Sequence, residues 1–202
     1  MPTNRLEAFS DGVLAVIITI MVLELHAPKG STLSALGAVA PGLLTYVLSF
    51  VYVGIYWNNH HHFFQLAERI DGGVLWANLH LLFWLSLVPF TTAWMDRSEF
   101  ARVPVAAYGV DLLMCAVAWW VMQRMCFRSE GEGSHLRRAV GRGLKEKVSP
   151  VLYVAGIVGA WWQPAFSMAV FAAVALMWVV PDRRMERYIE DSRPGTDLGD
   201  LG

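Results

Sequence analysis

The sequence predicts an all-α, polytopic membrane protein with six transmembrane helices. Three observations predict it. The 202 residues are 55 % hydrophobic and only 16 % charged, with a mean hydropathy of +0.42, a composition outside that of ordinary soluble domains. Six apolar segments follow one another at about 6–25, 36–56, 73–95, 104–126, 148–162 and 164–180. The basic residues are distributed unevenly between the connections. Of the 16 Lys and Arg, only Lys29, Arg97 and Arg102 fall on one side under a six-span arrangement, and 13 fall on the other. The positive-inside rule then places both termini in the cytoplasm of a cell (inner) membrane.

The first four segments are long enough to cross a hydrocarbon core of about 30 Å at 1.5 Å per residue. The fifth and sixth are shorter and are separated by Gln163-Pro164. They read as a tight hairpin of two spans, because an odd span count would strand one basic cluster on the wrong side. The six-helix transmembrane domain is expected over residues 1–190, with a disordered cytoplasmic tail over 191–202, where Pro194, Gly195, Gly199 and scattered acids replace the apolar pattern.

The first segment opens with Arg5-Leu-Glu-Ala-Phe9-Ser10-Asp11-Gly12, and Asp11 stands where the apolar region of a signal peptide would begin, against such a reading. On a helix at 100° per residue, Arg5, Phe9, Gly12, Val16, Ile20 and Leu23 fall within about 40° of one direction. Asp11 points about 140° away on one flank and Ser10 about 120° away on the other. The second segment carries a polar seam at Thr45, Ser49, Tyr52 and Tyr56, then Asn59 or His60, spaced by three and four. Its end bears His60-His61-His62, and the third segment begins near Asn78 and His80.

Polar groups inside a bilayer are costly and need partners. Under the inside-N topology these groups reach the same cytoplasmic level. A hydrogen-bonded network of Arg5, Ser10, Asp11, a histidine from 60–62 and Asn78 is therefore expected, clamping the first helix so that its opposite spine faces away. The rival role for the same groups is a proton-coupled gate, since histidine titrates near neutral pH.

Asp111, in the fourth segment, is a further buried acid, expected to pair with Arg102 or to reach the interface. Three histidines in a row point 100° apart on a helix and do not ligate one ion together. No Gly-x-Ser-x-Gly, His-Glu-x-x-His or phosphate-loop pattern occurs, so no catalytic site is expected. Cys115 and Cys126 have neither disulfide nor metal spacing and read as packing residues. The basic stretch Arg124–Lys147 reads as a cytoplasmic loop, and Trp57, Trp76, Trp94, Trp161 and Trp162 fall near span ends as interfacial anchors.

The wording of the first segment resembles the signature of the transmembrane-protein-175 family, potassium channels of lysosomes and bacteria. Members carry Arg-x-x-x-Phe-Ser-Asp, which stands here as Arg5, Phe9, Ser10 and Asp11. The family's apolar pore residues correspond to Val16, Ile20 and Leu23, and its Thr to Thr19; Val16 is smaller than the family's usual Ile or Leu. Tyr56-Trp57-Asn-Asn-His60-His61-His62-Phe63, Asn78 and Pro89-Phe90 extend the likeness.

The resemblance implies a homotetramer with helix one lining a central pore. Stacked rings of Val16, Ile20 and Leu23 would gate it, with potassium as the permeant ion. It implies no cofactor, metal or nucleic acid; the partners are the bilayer, potassium and other copies of the chain. The filter sequence Thr-Val-Gly-Tyr-Gly is absent, so carbonyl coordination of the ion is not assumed, and the alternative is a ring of side chains from symmetry-related first helices. A proton-coupled transporter or proton-conducting channel using Asp11, His60–His62 and Asp111 is the second reading, and an intramembrane metal-dependent enzyme the third. The spine above Arg5 carries no ionisable group, which a carrier path would need.

Overall fold

In the computed structural model, residues 3–67, 69–131, 136 and 144–179 are described. They form six helices: α1 (Thr3–Leu23), α2 (Leu33–Leu66), α3 (Gly72–Arg97), α4 (Arg102–Glu130), α5 (Leu144–Gly159) and α6 (Pro164–Val179). The first four are long and apolar enough to cross a membrane. α5 and α6 have 16 residues each, about 24 Å at the helical rise. Residues 180–202, including the expected tail, and 132–135 and 137–143 of the basic stretch lie outside the described residues; the ends of that stretch, expected as loop, are helical, Arg124–Glu130 closing α4 and Leu144–Lys147 opening α5.

The helix starts are written in the sequence. Thr32 caps α2 by accepting from the Ala35 amide at 3.2 Å, and Asp71 caps α3 by accepting from the Val74 amide at 2.9 Å. Pro164 opens α6 at the first-turn position where a missing N–H removes no bond. The widest departure from the expected spans is in α2. α2 has 34 residues and runs past the expected end at 56 through the histidines to Leu66. Hydropathy drops at Trp57-Asn58-Asn59, but nothing there breaks a helix. The chain leaves helical geometry only at Ala67 (φ −81°, ψ 121°).

Two apolar cores hold the bundle together. In the first, Leu6, Leu14, Ile17 and Met21 of α1 pack with Phe63 and Phe64 of α2, Leu81 and Leu85 of α3, and Trp119 of α4. The second joins α4, α5 and α6 to the middle of α2 through Tyr52, Tyr108, Tyr153 and Phe171. α4 packs against α3, α5 and α6, whereas α1 packs on α3 and α2.

At the centre of the second core the Phe171 ring fills a slot between two glycines. A Cβ on Gly156 would stand 2.4 Å from Phe171 Cε1, and one on Gly109 2.5 Å from its Cζ. Small residues let membrane helices approach this closely. Both cysteines are free and buried.

Candidate functional site: the two faces of the first helix

One side of α1 is fastened to the bundle by a chain of hydrogen bonds. Ser10 donates to the Leu6 carbonyl at 2.9 Å, and its oxygen accepts from Asn78 Nδ2 at 3.0 Å. Asn78 Oδ1 is 2.8 Å from His60 Nε2, so that nitrogen carries the proton in this pairing. Ser10, Asn78 and His60 are all buried. They meet because α1 and α3 begin, and α2 ends, at the same end of the bundle. Each stands six or seven residues in from that end, about 10 Å by the helical rise.

The chain is shorter than the sequence suggests. Asp11 is exposed in the subunit and accepts from Trp57 Nε1 at 3.0 Å. Arg5 and Phe9 also lie on the exposed side of α1. His61 is within 2.8 Å of Gln65 Nε2 and stacks on Trp57. The correction has a geometric cause. α1 has neighbours on one side only, and its buried residues Leu6, Ser10, Leu14, Ile17 and Met21 centre about 120° from Val16, on the Ser10 flank. Asp11 sits on the opposite flank, at the far edge of an exposed arc. A wheel drawn from sequence places the two flanks symmetrically and does not say which one is covered.

The other side of α1 is the predicted spine, and the subunit leaves it uncovered. Val16 is 55 % exposed, Ile20 43 % and Leu23 81 %. Thr19 is exposed as well, its hydroxyl donating to the Val16 carbonyl at 2.8 Å. Beside the far end of the spine, an open groove of about 400 Å³ runs between α1 and α3, lined by Ile20, Glu24, Pro89, Phe90, Trp94 and Arg97. Glu24 and Arg97 form an exposed salt bridge across it. A separate cavity of about 300 Å³, walled by Tyr52, Tyr56, Trp119, Tyr153 and Trp178, contains no residue of α1.

The seam on α2 divides between two networks. His60 joins Asn78, but Ser49 lies 2.7 Å from Thr92 Oγ1 and 3.1 Å from Tyr108 Oη, and Tyr52 donates to the Phe171 carbonyl at 2.6 Å. Thr91 and Thr92 are hydrogen-bond partners that sequence reasoning passed over; their positions two and three residues past Pro89 mark them as polar groups inside a span. Trp57 was legible only as an interfacial anchor, not as the partner of Asp11. Asp111 does not pair with Arg102 but is buried in the subunit, its Oδ2 2.9 Å from Thr91 Oγ1. Among the described residues, no three His, Cys, Asp or Glu side chains are placed to hold a metal ion.

This geometry defines a polytopic membrane protein whose first helix is pinned on one flank and bare on the other. The sequence pattern of the family described as "Endosomal/lysosomal potassium channel TMEM175" matches residues 5–89. A potassium channel of Chryseobacterium sp. (strain P1-3) is 50 % identical over 192 residues, covering 95 % of this chain and 100 % of that protein. The mouse endosomal/lysosomal proton channel TMEM175 is 35 % identical over 58 % of this chain, which spans 26 % of that longer protein. The crystal structure of a lysosomal potassium-selective channel TMEM175 homolog from Chamaesiphon minutus superposes with a TM-score of 0.78 at 28 % identity, over 90 % of this chain and 97 % of that one. The chain belongs to the TMEM175 family of potassium channels, and its role is therefore that of an ion-channel protein and not of an enzyme.

Proposed function

We propose that the chain assembles as a homotetrameric, potassium-selective channel in which four copies of α1 surround the pore and apolar rings form its gate. The observation that carries this reading is the bare spine on a helix whose other flank is fastened by Ser10, Asn78 and His60. One helix encloses no passage, and cyclic symmetry arranges copies of one stripe around a common axis. Val16, Ile20 and Leu23 then form stacked constrictions that close by excluding water. Thr19, about 60° from Val16 on the helix, has spent its hydrogen on a backbone carbonyl and keeps its oxygen as an acceptor toward a cation. The Ser10–Asn78–His60 chain holds the helix in that orientation. Both termini lie in the cytoplasm under this reading, with residues 1–190 as the channel unit and 191–202 as a tail.

Flux from liposomes loaded with potassium, with sodium and proton gradients as separate arms, tests the proposal. Wild-type protein should pass potassium passively and electrogenically, without a coupling ion. Ile20→Asn puts a polar group at the constriction in every copy at once; closed-state leak should rise and potassium preference should fall. Leu23→Asn should act in the same direction and Val16→Asn less strongly. Ile18→Val, about 200° from Val16 on the helix and packed against the first core, should leave flux near normal. A scan in which Ile18 matters and Ile20 does not would overturn the pore assignment. Flow driven by the proton gradient alone would replace potassium with the proton-conducting reading.

A further inference from the structure

We propose that the cavity between α2, α4, α5 and α6 binds an organic ammonium ion, held by its aromatic walls and the Glu146 carboxylate. The cavity exists because α2 packs on α1, α3 and α6, while α4 packs on α3, α5 and α6. Side chains alone bridge the gap left between α2 and α4. Its volume of about 300 Å³ lies at the lower end of the range for small-ligand pockets. It contains no residue of α1, so this inference stands apart from the pore reading.

The walls are rings set at angles to one another. Tyr56 meets Trp119 at 6.2 Å between centroids and 68° between planes, and Tyr52 meets Tyr153 at 6.4 Å and 46°. Three wall groups have already engaged their polar hydrogens. Tyr52 donates to the Phe171 carbonyl, Trp178 Nε1 to Ser149 Oγ at 2.8 Å, and Ser149 to the Lys145 carbonyl at 2.8 Å. What they offer a ligand is π-electron density and oxygen lone pairs, not hydrogens. A cation is the complement of such a surface. Trp120, on the same lining, already carries one: the Arg124 guanidinium lies 5.7 Å from its ring centroid.

The sign of the charge agrees. Among the described residues that line the cavity, Glu146 alone is an Asp, Glu, Lys or Arg. Its Oε1 accepts from Gln123 Nε2 at 3.1 Å, which uses one of about four acceptor positions on a carboxylate. Lys145 and Lys147 turn about 100° to either side of it on the helix and do not line the cavity. Glu146 belongs to the first turn of α5, and Tyr153 stands seven residues deeper, about 10 Å along the axis. An ammonium with an aryl or alkyl body matches this order, its charge toward the carboxylate and its body among the inner rings.

Equilibrium dialysis of the purified protein against protein-free micelles of the same detergent tests the site with two probes. Benzyltrimethylammonium carries the charge, and neopentylbenzene has the same shape without it. The cation should bind wild type saturably, and about tenfold or more tightly than the neutral isostere, as a desolvated cation–π contact supplies. Glu146→Gln keeps an acceptor for Gln123 and should weaken the cation several-fold while leaving the isostere unchanged. Ala116→Trp sets a ring into the cavity from its α4 wall and should abolish binding of the cation.

Equal affinity for the two probes would mark a site for apolar matter, such as an acyl chain, and would overturn the inference. So would a lack of saturable cation binding by wild type. Undiminished cation binding by Ala116→Trp would overturn it as well, by placing the ion elsewhere, the pore included. The comparison of the two probes on wild type decides the matter even if the filled variant folds poorly.

Discussion

α1 and α4 are similar in composition and opposite in use. The most apolar 18-residue stretch of α1 has a mean hydropathy of 2.0 and is 28 % buried in the subunit; that of α4 has 1.7 and is 56 % buried. The more apolar helix is the less covered one. Hydropathy therefore reports that a helix belongs in the membrane and not what lies against it. α4 finds its partners within the chain, in α3, α5 and α6. α1 meets the chain along one flank, and its remaining apolar surface answers to lipid, to other copies or to a pore. The same contrast appears in their polar groups. On α1 the buried hydroxyl of Ser10 is tied into a chain that ends on His60, whereas on α4 the carboxyl of Asp111 has one oxygen bonded and one not.

The largest expected effect comes from filling the glycine slot in the α4–α6 core. Phe171 is fully buried, so its ring has no free space into which to retreat. Overpacking a core costs about 1–3 kcal/mol for added methylenes, and Gly156→Leu adds a whole branched side chain against the ring. Loss of monodisperse protein on size exclusion is expected. The matched substitution on α1 is Gly12→Ala, whose Cβ meets nothing within 4 Å; the subunit should fold as wild type. Equal damage from both would mean that α1 is as tightly covered as α4, and the contrast would fail.

Asn78→Ala should come next. It removes the amide that joins Ser10 to His60 and leaves both buried without their partner, a loss of about 1–3 kcal/mol. Thermal unfolding should move accordingly, and the orientation of α1 should loosen with it, seen as reduced potassium preference in protein that still assembles. Unchanged stability would show that α1 is held by apolar packing alone, and that the polar chain is incidental.

The same contrast explains what could be read in advance. The six helices were legible because hydropathy and basic-residue placement act locally along the chain. Ser10, Asn78 and a histidine from 60–62 were legible as a group because topology brings their levels together; that the histidine is His60 came only from the packing. The bond from Asp11 to Trp57 was not, since it depends on which flank of α1 is covered, a fact of packing that no wheel contains. The histidines were legible as the end of α2, but the helix outruns its apolar span by ten residues, because low hydropathy ends a span while only a helix breaker or a cap ends a helix. The Thr91–Asp111 pair was hidden because it joins two spans through residues unremarkable in either one. The spine itself was legible from helical geometry, whereas its exposure in the subunit is a fact of packing that the wheel did not contain.

The smallest expected effect, and the one that most sharpens the contrast, is at Asp11. From its place in the signature, an acid here looks like a member of a buried network, and its loss would then be as damaging as that of Asn78. In the subunit it is exposed and makes one hydrogen bond, to Trp57 at 3.0 Å. Removing such a bond costs about 0.5–1.5 kcal/mol, and surface exposure places it at the low end. Asp11→Asn should preserve the bond from Trp57, and Asp11→Ala should shift thermal unfolding less than Asn78→Ala does, measured on the same purified protein. If the alanine variant instead loses assembled protein while its dissociated subunits remain folded, the acid is covered by a neighbouring copy. Asp11 would then belong to the contacts between subunits, on the flank of α1 that its own chain leaves open.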